Sequence, residues 1–258
     1  MTLSPLLRQT VIGWVYPPLC AGCDLPLPAA RQIEVPFLCE ECEDALTPLP
    51  EGYCPTCGQS YDVPVGLTVP CGNCGGRELF FDYAVSAYRS RGQAREMMHA
   101  YKYGKQLHLS RLFGHLLHQV WEDSRLGEVD SWWVVPVPLH RRRQRQRGFN
   151  QALEIAREFV GSAPKGRNLI LSSCLKRTRY TVRQAQLDRK ERLANLHKAF
   201  SVTKLPSRSD CPERGFLLVD DVMTTGATVS ECARVLRESL LARGSDAPPI
   251  VGLSVLRG

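Results

Sequence analysis

Residues 216–229 read FLLVDDVMTTGATV. Phe216–Val219 has the length and apolar content of a buried strand. Asp220 and Asp221 close it, and a small hydroxyl-rich loop follows: Thr224, Thr225, Gly226, Ala227 and Thr228. Over Thr228–Leu241 the apolar residues Val229, Cys232, Ala233, Leu236 and Leu240 recur at helical spacing. A strand that runs through such a loop into a helix presents backbone N–H groups, hydroxyls and the positive end of the helix to one point. That arrangement suits a phosphate dianion. Gly226 allows the backbone to approach a ligand closely. Two neighbouring carboxylates can accept hydrogen bonds from vicinal hydroxyls or face a hydrated Mg2+. A bare Asp-Asp pair would read as an acidic turn. The apolar strand before it, and the loop and helix after it, make it a candidate ligand site.

Outward from this stretch the same alternation repeats. Phe81–Tyr88 predicts a strand, and Gly92–Tyr103 a helix with Ala94, Met97, Met98 and Tyr101 on one face. A second helix is expected near Leu107–Trp121, then a buried strand over Trp132–Pro138. Asn150 is placed to cap a helix over Gln151–Val160 by accepting an orphan backbone N–H. Ile250–Leu256 is a last strand. Strands alternating with helices predict an α/β fold, a parallel sheet flanked by helices, with ligand sites at the strand C-termini.

The strand ending in Val137 and Pro138 is followed by Leu139 and His140. Five arginines then fall within Arg141–Arg147. Guanidinium groups offer fixed donor geometry to phosphate oxygens, and a nucleic-acid backbone would be served equally well. A solvated charge run is the alternative, and the strand-exit position argues against it. Lys102 and Lys105, in the run Tyr101-Lys102-Tyr103-Gly104-Lys105, read first as ordinary surface lysines that can reach an anion. The six histidines show no ligand spacing.

Residues 16–78 are rich in Pro, Gly and Cys and lack periodic apolar pattern, so a core of the usual kind cannot hold them. Eight of the eleven cysteines lie here, in four C-x-x-C pairs: Cys20 and Cys23, Cys39 and Cys42, Cys54 and Cys57, Cys71 and Cys74. Two such turns present four thiolates to one ion, which favours zinc over disulfides or an iron–sulfur cluster. With all four ligands from protein the metal is structural and its binding energy replaces the missing core. Spacing leaves open whether the pairs combine consecutively or interleave. The remaining cysteines, Cys174, Cys211 and Cys232, are expected to have no chemistry. Leu3, Leu6, Leu7, Val11, Trp14 and Val15 predict a short amphipathic helix over 3–15 that packs on its own protein.

Charge divides the chain in the same place as texture does. Residues 1–78 carry three Lys/Arg and nine Asp/Glu; residues 79–258 carry 30 and 17. The basic part favours anionic partners such as phosphorylated small molecules, nucleic acid or an anionic membrane face. The expected domains are 1–78 and 79–258. No apolar run is long enough to cross a bilayer, and no export signal is read, so a cytoplasmic protein is expected.

The stretch LLVDDVMTTGAT closely resembles the signature of type I phosphoribosyltransferases, which bind 5-phosphoribosyl-1-pyrophosphate (PRPP). The resemblance implies that Asp220 and Asp221 hold the ribose 2- and 3-hydroxyls and that Thr224, Thr225, Gly226, Ala227 and Thr228 hold the 5-phosphate. Over nearly its whole length the chain resembles the ComF (GntX-like) family. The matching features are the four cysteine pairs, the Tyr101–Lys105 run and VPVPLHxxRxxxRGFNQ, carried here by Arg143, Arg147, Gly148, Phe149, Asn150 and Gln151. A last matching stretch, residues 175–200, carries Arg177, Thr181, Gln184, Leu187, Arg192, Asn195 and Phe200.

This second resemblance implies a type I phosphoribosyltransferase-like sheet behind a double zinc ribbon with one or two structural Zn2+. Val137, Pro138 and Leu139 would form the pyrophosphate loop, and Arg147 would join Asp220 and Asp221 in catalysis. Residues 175–200 would form a flap, with Arg177 and Arg192 toward phosphate. Two functions follow from it. One is phosphoribosyl transfer from PRPP, bound with Mg2+, to an unidentified acceptor, in DNA uptake or the use of DNA as nutrient. The other is a non-catalytic PRPP-sensing module that binds single-stranded DNA through the basic face and its aromatics Phe149, Tyr180, Tyr101 and Tyr103. DNA-uptake proteins are implied partners, and through them a peripheral place at the inner membrane face.

Overall fold

The computed structural model describes residues 18–28, 31, 35–49, 52–61, 71–180, 198–206, 214–244 and 248–258. The helix expected over 3–15, Cys211, and Thr181, Gln184, Leu187, Arg192 and Asn195 lie outside the described residues.

In chain order the elements are α1 (Glu40–Asp44), β1 (Tyr83–Arg89), α2 (Gly92–Tyr103), α3 (Leu109–Leu116), β2 (Ser131–Pro136), α4 (Arg141–Arg147), α5 (Gln151–Gly161), β3 (Asn168–Leu171), β4 (Leu175–Arg177), β5 (Phe200–Val202), β6 (Gly215–Met223), α6 (Ala227–Leu241) and β7 (Ile250–Arg257). Five strands form one sheet in the order β1-β7-β6-β2-β3. All its pairings are parallel. β4 and β5 form a separate antiparallel ribbon, with Leu175 opposite Val202 and Arg177 opposite Phe200.

Because successive strand side chains point to opposite faces, each strand feeds two cores. Val134, Leu217, Val219, Val251 and Leu253 pack with Met97 and Tyr101 of α2, Phe113 of α3 and Phe159 of α5. Trp133, Val135, Phe216 and Leu218 pack on the other face with Val229, Cys232 and Leu236 of α6 and with Cys174, Leu175 and Phe200. Sheets covered on both faces read as continuous apolar runs, which is why these strands were legible. Each such side chain, once buried, contributes roughly 1.5–3 kcal/mol.

The topology locates the site. β2 leads through α4 and α5 to β3 on one side of itself, and β6 leads through α6 to β7 on the other. The crevice between the carboxyl ends of β2 and β6 is therefore the switch point of the sheet, where ligands bind in open α/β folds.

Three elements differ from the sequence expectation. β6 runs four residues past Val219, so Asp220 and Asp221 lie inside the strand. The reason is one-sided pairing. β2 stops pairing at Pro136, opposite Val219, whereas β7 continues alongside, with Asp220 opposite Ser254 and Met223 opposite Arg257. Arg141–Arg147, read in the sequence only as a charged strand exit, is a helix. Its Arg and Gln residues are good helix formers. The His140 ring accepts from Arg142 N at 3.2 Å, and Gly148 ends the helix at φ 89°. β3 was unread because its four residues alternate between exposed and half-buried at the sheet edge.

The cysteine-rich segment is bonded to β1. Arg89 N donates to Thr47 O at 2.9 Å, Leu49 N to Ala87 O at 3.4 Å and Ala84 N to Thr56 O at 2.9 Å. Cys20, Leu38 and Cys42 share the apolar cluster of Met97 and Leu109.

Candidate ligand site and cysteine tetrads

A cavity of about 780 Å³ opens at the carboxyl ends of β2 and β6. Val137, Pro138 and Leu139 form one wall, and Asp220, Asp221, Thr224 and Thr228 another. Five cationic residues line it: Lys102 from α2, Lys105 just after that helix, Arg143 and Arg147 from α4, and Arg177 from β4. Thr225, Gly226 and Ala227 carry the chain between the two lining threonines. Gly226 has the left-handed φ of 71° that a side chain would strain, and it begins α6.

The two carboxylates have different surroundings because they alternate across the sheet. Asp221 points to the face of α2, where its Oδ1 lies 2.7 Å from Lys102 Nζ. Asp220 Oδ1 accepts from Asp221 N at 2.9 Å. Burial, and then the neighbouring Asp221 charge, push the Asp220 carboxyl up to about 7, against the opposing pull of Lys102. Asp221 is buried and Asp220 half-buried. Burial, with Arg143 nearby, lowers Arg177 to about 10, which leaves it charged at neutral pH.

Helix α4 has two sides. Arg143 and Arg147, four apart, are half-buried and line the cavity. Arg141, Arg142 and Arg145 are exposed. Arg147 Nη1 donates to the buried Gln151 Oε1 at 2.9 Å. Asn150 stands at the start of α5, but its side chain makes no cap hydrogen bond. Its Nδ2 instead donates to Val137 O at 3.2 Å, which fixes the strand exit against the helix.

The aromatics divide in the same way. Tyr101 is fully buried, 5.1 Å from the Phe149 ring, with its hydroxyl donating to Gln151 O at 3.2 Å. Tyr101 is core, and Phe149 packs partly buried against the same cluster, so neither forms an open stacking platform as expected. Tyr180 and Tyr103 are exposed, with Arg142 at 4.9 Å from the first ring and Arg147 at 5.4 Å from the second.

The structure thus brings together Asp220, Asp221, Arg147, Thr224, Thr228, Val137, Pro138 and Leu139. It adds Lys102, which sequence reading treated as a surface lysine. Its position two residues before the glycine that ends α2 gave no sign of the carboxylate facing it.

The cysteines form two tetrads, Cys20, Cys23, Cys39 and Cys42, and Cys54, Cys57, Cys71 and Cys74; within each, all sulfurs lie within 4.8 Å of one another. The pairs therefore combine consecutively. Sulfurs stand 3.6 Å apart for Cys20 and Cys39, 3.5 Å for Cys54 and Cys74, and 3.7 Å for Cys57 and Cys71. A zinc tetrathiolate with bonds near ~2.3 Å has edges of about 3.8 Å, so both tetrads fit the ion. Cys20 Sγ accepts from the N–H groups of Gly22 and Cys39, each at 3.4 Å. Burial raises that thiol, but these N–H groups, together with hydrogen bonds from Cys23, outweigh it and bring it down to about 7. Cys174 and Cys232 are buried away from both tetrads. Among the described residues no helix is long and apolar enough to cross a membrane.

No family model matches the chain. Curated proteins do. The chain is 30% identical over 209 residues to "Competence protein F" of Haemophilus influenzae, covering 78% of this chain and 84% of that protein. It is 31% identical over 228 residues to "DNA utilization protein YhgH" of Escherichia coli K12, covering 85% and 91%. It is 22% identical over 241 residues to "Competence protein ComFC" of Bacillus subtilis, covering 88% and 91%.

Proposed function

Because this chain belongs to the ComF family, whose members carry names of competence and DNA utilisation, we propose that it acts in the uptake or use of DNA through a site for PRPP and Mg2+. One observation carries the reading. Two adjacent carboxylates, a threonine-lined strand–loop–helix junction and five cations from α2, the turn after it, α4 and β4 converge on one cavity. Few ligands need all three; a sugar with vicinal hydroxyls and phosphates at both ends does.

In this reading Asp220 and Asp221 accept from the ribose hydroxyls, and the 224–228 loop takes the 5-phosphate. Arg147, Arg143, Arg177 and Lys102 neutralise the diphosphate. Mg2+ bound with the diphosphate would add charge neutralisation there, and the carboxylates are the hard oxygen donors that suit it. Transfer breaks the bond between the anomeric carbon and pyrophosphate and forms one to an acceptor. Held cations favour it because negative charge grows on the leaving group.

Calorimetry with PRPP and Mg2+ tests binding. Pyrophosphate release, with and without candidate acceptors and DNA, tests transfer. Binding lost in the Asp220→Asn, Asp221→Asn double variant supports the site; equal affinity in both proteins removes it.

The exposed side of α4 favours a second reading, a PRPP-sensing module that binds single-stranded DNA without catalysis. Arg141, Arg142 and Arg145, with Tyr180 beside them, offer backbone contacts and a stacking surface outside the cavity. Binding of both ligands with no pyrophosphate released under any condition selects this reading.

A further inference from the structure

Behind the ligand loop, on the side of the second cysteine tetrad, lie two guanidinium groups. Arg257, on β7, is 3% exposed. Its Nη1 donates to Met223 O at 2.8 Å, to Thr224 O and to Gly258 O at 2.9 Å. Its Nη2 lies 4.0 Å from Cys57 Sγ. Arg77 follows Cys74 by three residues, and its Nη1 donates to Thr225 O and to Asn73 O, both at 3.0 Å. Asn73 Nδ2 in turn donates to Cys57 Sγ at 3.4 Å. Three consecutive loop carbonyls, those of residues 223, 224 and 225, are thus held by two cations that lean on one tetrad.

We propose that Arg77 and Arg257 are positioning residues that hold the ligand loop in its anion-binding shape, with the second cysteine tetrad as their anchor, so that the metal state of that tetrad sets the affinity of the site. This rests on the reading above, in which the loop takes phosphate. The physical reason lies in peptide planarity. In a trans peptide the carbonyl and the following N–H point in opposite directions. No peptide among the described residues is cis. Carbonyls turned toward the arginines therefore aim the N–H groups of 224, 225 and 226 away from the tetrad, as a nest for an anion requires.

The anchor depends on charge. Zinc held by four thiolates carries a net charge of about −2, an acceptor for both Arg257 and the Asn73 amide. Without the metal the four sulfurs are no longer gathered at one point, and the arginines lose their fixed seat. The tetrad then has a task besides folding its own segment: it braces a loop some 150 residues further along the chain. Sequence spacing around the cysteines contains nothing of this, because the contacts join residues 73–77 to 223–225 and 257.

The test uses the full chain and hydrogen–deuterium exchange without ligand. Arg77→Met and Arg257→Met should each speed exchange at Ala227 and Ser230, whose N–H groups bond to the loop, by about tenfold, while residues 132–135 of β2 keep the wild-type rate. Removing the second metal through Cys71→Ser with Cys74→Ser should do the same, with zinc content measured alongside. Affinity for PRPP with Mg2+ should fall in step, by about tenfold. Arg77→Lys, which keeps one donor group, should recover part of the loss. Arg77 is half-exposed, so its variants decide the matter even if Arg257→Met does not fold. Unchanged exchange at Ala227 and Ser230 in folded Arg77→Met overturns the proposal. If wild-type protein binds no PRPP, the functional reading fails, and that exchange still decides whether the clamp exists.

Discussion

Lys102 and Asp221 form an ion pair inside the ligand cavity, Nζ to Oδ1 at 2.7 Å, with side chains only 16% and 12% exposed. The pair joins α2 to the end of β6 and keeps one of the two carboxylates partnered. On the proposed reading, Lys102→Met should weaken PRPP binding about tenfold, roughly 1.4 kcal/mol, because a cation that would face the diphosphate is lost. It should also destabilise the fold by about 1–2 kcal/mol, less than for a fully buried pair because both groups keep some water. Adding Asp221→Asn should restore part of that stability, since it removes the orphaned charge. Urea denaturation of the two single variants and the double variant checks this. Strictly additive losses would show that the pair contributes nothing as a pair.

Asp220 should give the site a pH dependence. Its folded pKa is about 7, raised by burial and then by Asp221, against about 4 for an unfolded aspartate. The folded state therefore binds more protons between those values, and stability falls as pH rises from about 4 to 7. Asp220→Asn should remove this slope and be the more stable protein at pH 8, by an amount on the order of 2 kcal/mol. Ligand binding should release a proton near pH 6.5, visible as a dependence of calorimetric enthalpy on the buffer, and Asp220→Asn should lose that component. A wild-type stability profile flat from pH 5 to 8 would contradict the assignment.

The two sides of α4 should separate by mutation. Changing the exposed Arg141, Arg142 and Arg145 to Ala should flatten the log–log salt dependence of single-stranded DNA binding by about 2, at about 0.7 per phosphate contact. PRPP affinity should hold, because Arg143 and Arg147 remain in the cavity. Tyr180→Ala should weaken DNA binding by about 1–3 kcal/mol with the salt slope unchanged, since stacking displaces no counterions. An unaltered slope in the triple variant means DNA binds elsewhere.

Purified protein should contain about two zinc ions per chain. The eight tetrad thiols should resist titration until a chelator or denaturant is added. Loss of the first metal should lower thermal stability the more, because Cys20 and Cys42 sit in the large apolar cluster and Cys54, Cys57 and Cys71 in a small one. Elemental analysis and thermal melts of Cys20→Ser and Cys54→Ser decide it. Less than one zinc per chain with freely reacting thiols would falsify the tetrad assignment.

The strands flanked by apolar helices were legible because burial on both faces writes itself as unbroken apolar runs, as in Trp132–Val135 and Phe216–Val219. Helix α2 was read to its residue limits because Ala94, Met97, Met98 and Tyr101 repeat at helical spacing. Asp220, Asp221 and the 224–228 loop were found because their chemistry is local in sequence. Lys102 was undervalued because its partner lies more than a hundred residues away. Asn150 was assigned a cap because local rules favour one, and the carbonyl of Val137 competed successfully. β3 and the β4–β5 ribbon escaped because strands of three or four residues, partly exposed, carry too little pattern.

The bonds from Thr47, Leu49 and Thr56 to β1 bear on how this protein can be handled. β1 is the outermost strand on its side of the sheet, and those three residues occupy groups that would otherwise be unpaired. A shortened chain that begins at residue 79 would keep the residues that line the ligand cavity, but lose Arg77, both tetrads and this cover. Its bare strand edge would be a template for pairing with another copy. Such a fragment should self-associate or precipitate on expression. Poor behaviour of the isolated sheet would then report an unsealed margin, and would say nothing against the residues of the site it contains.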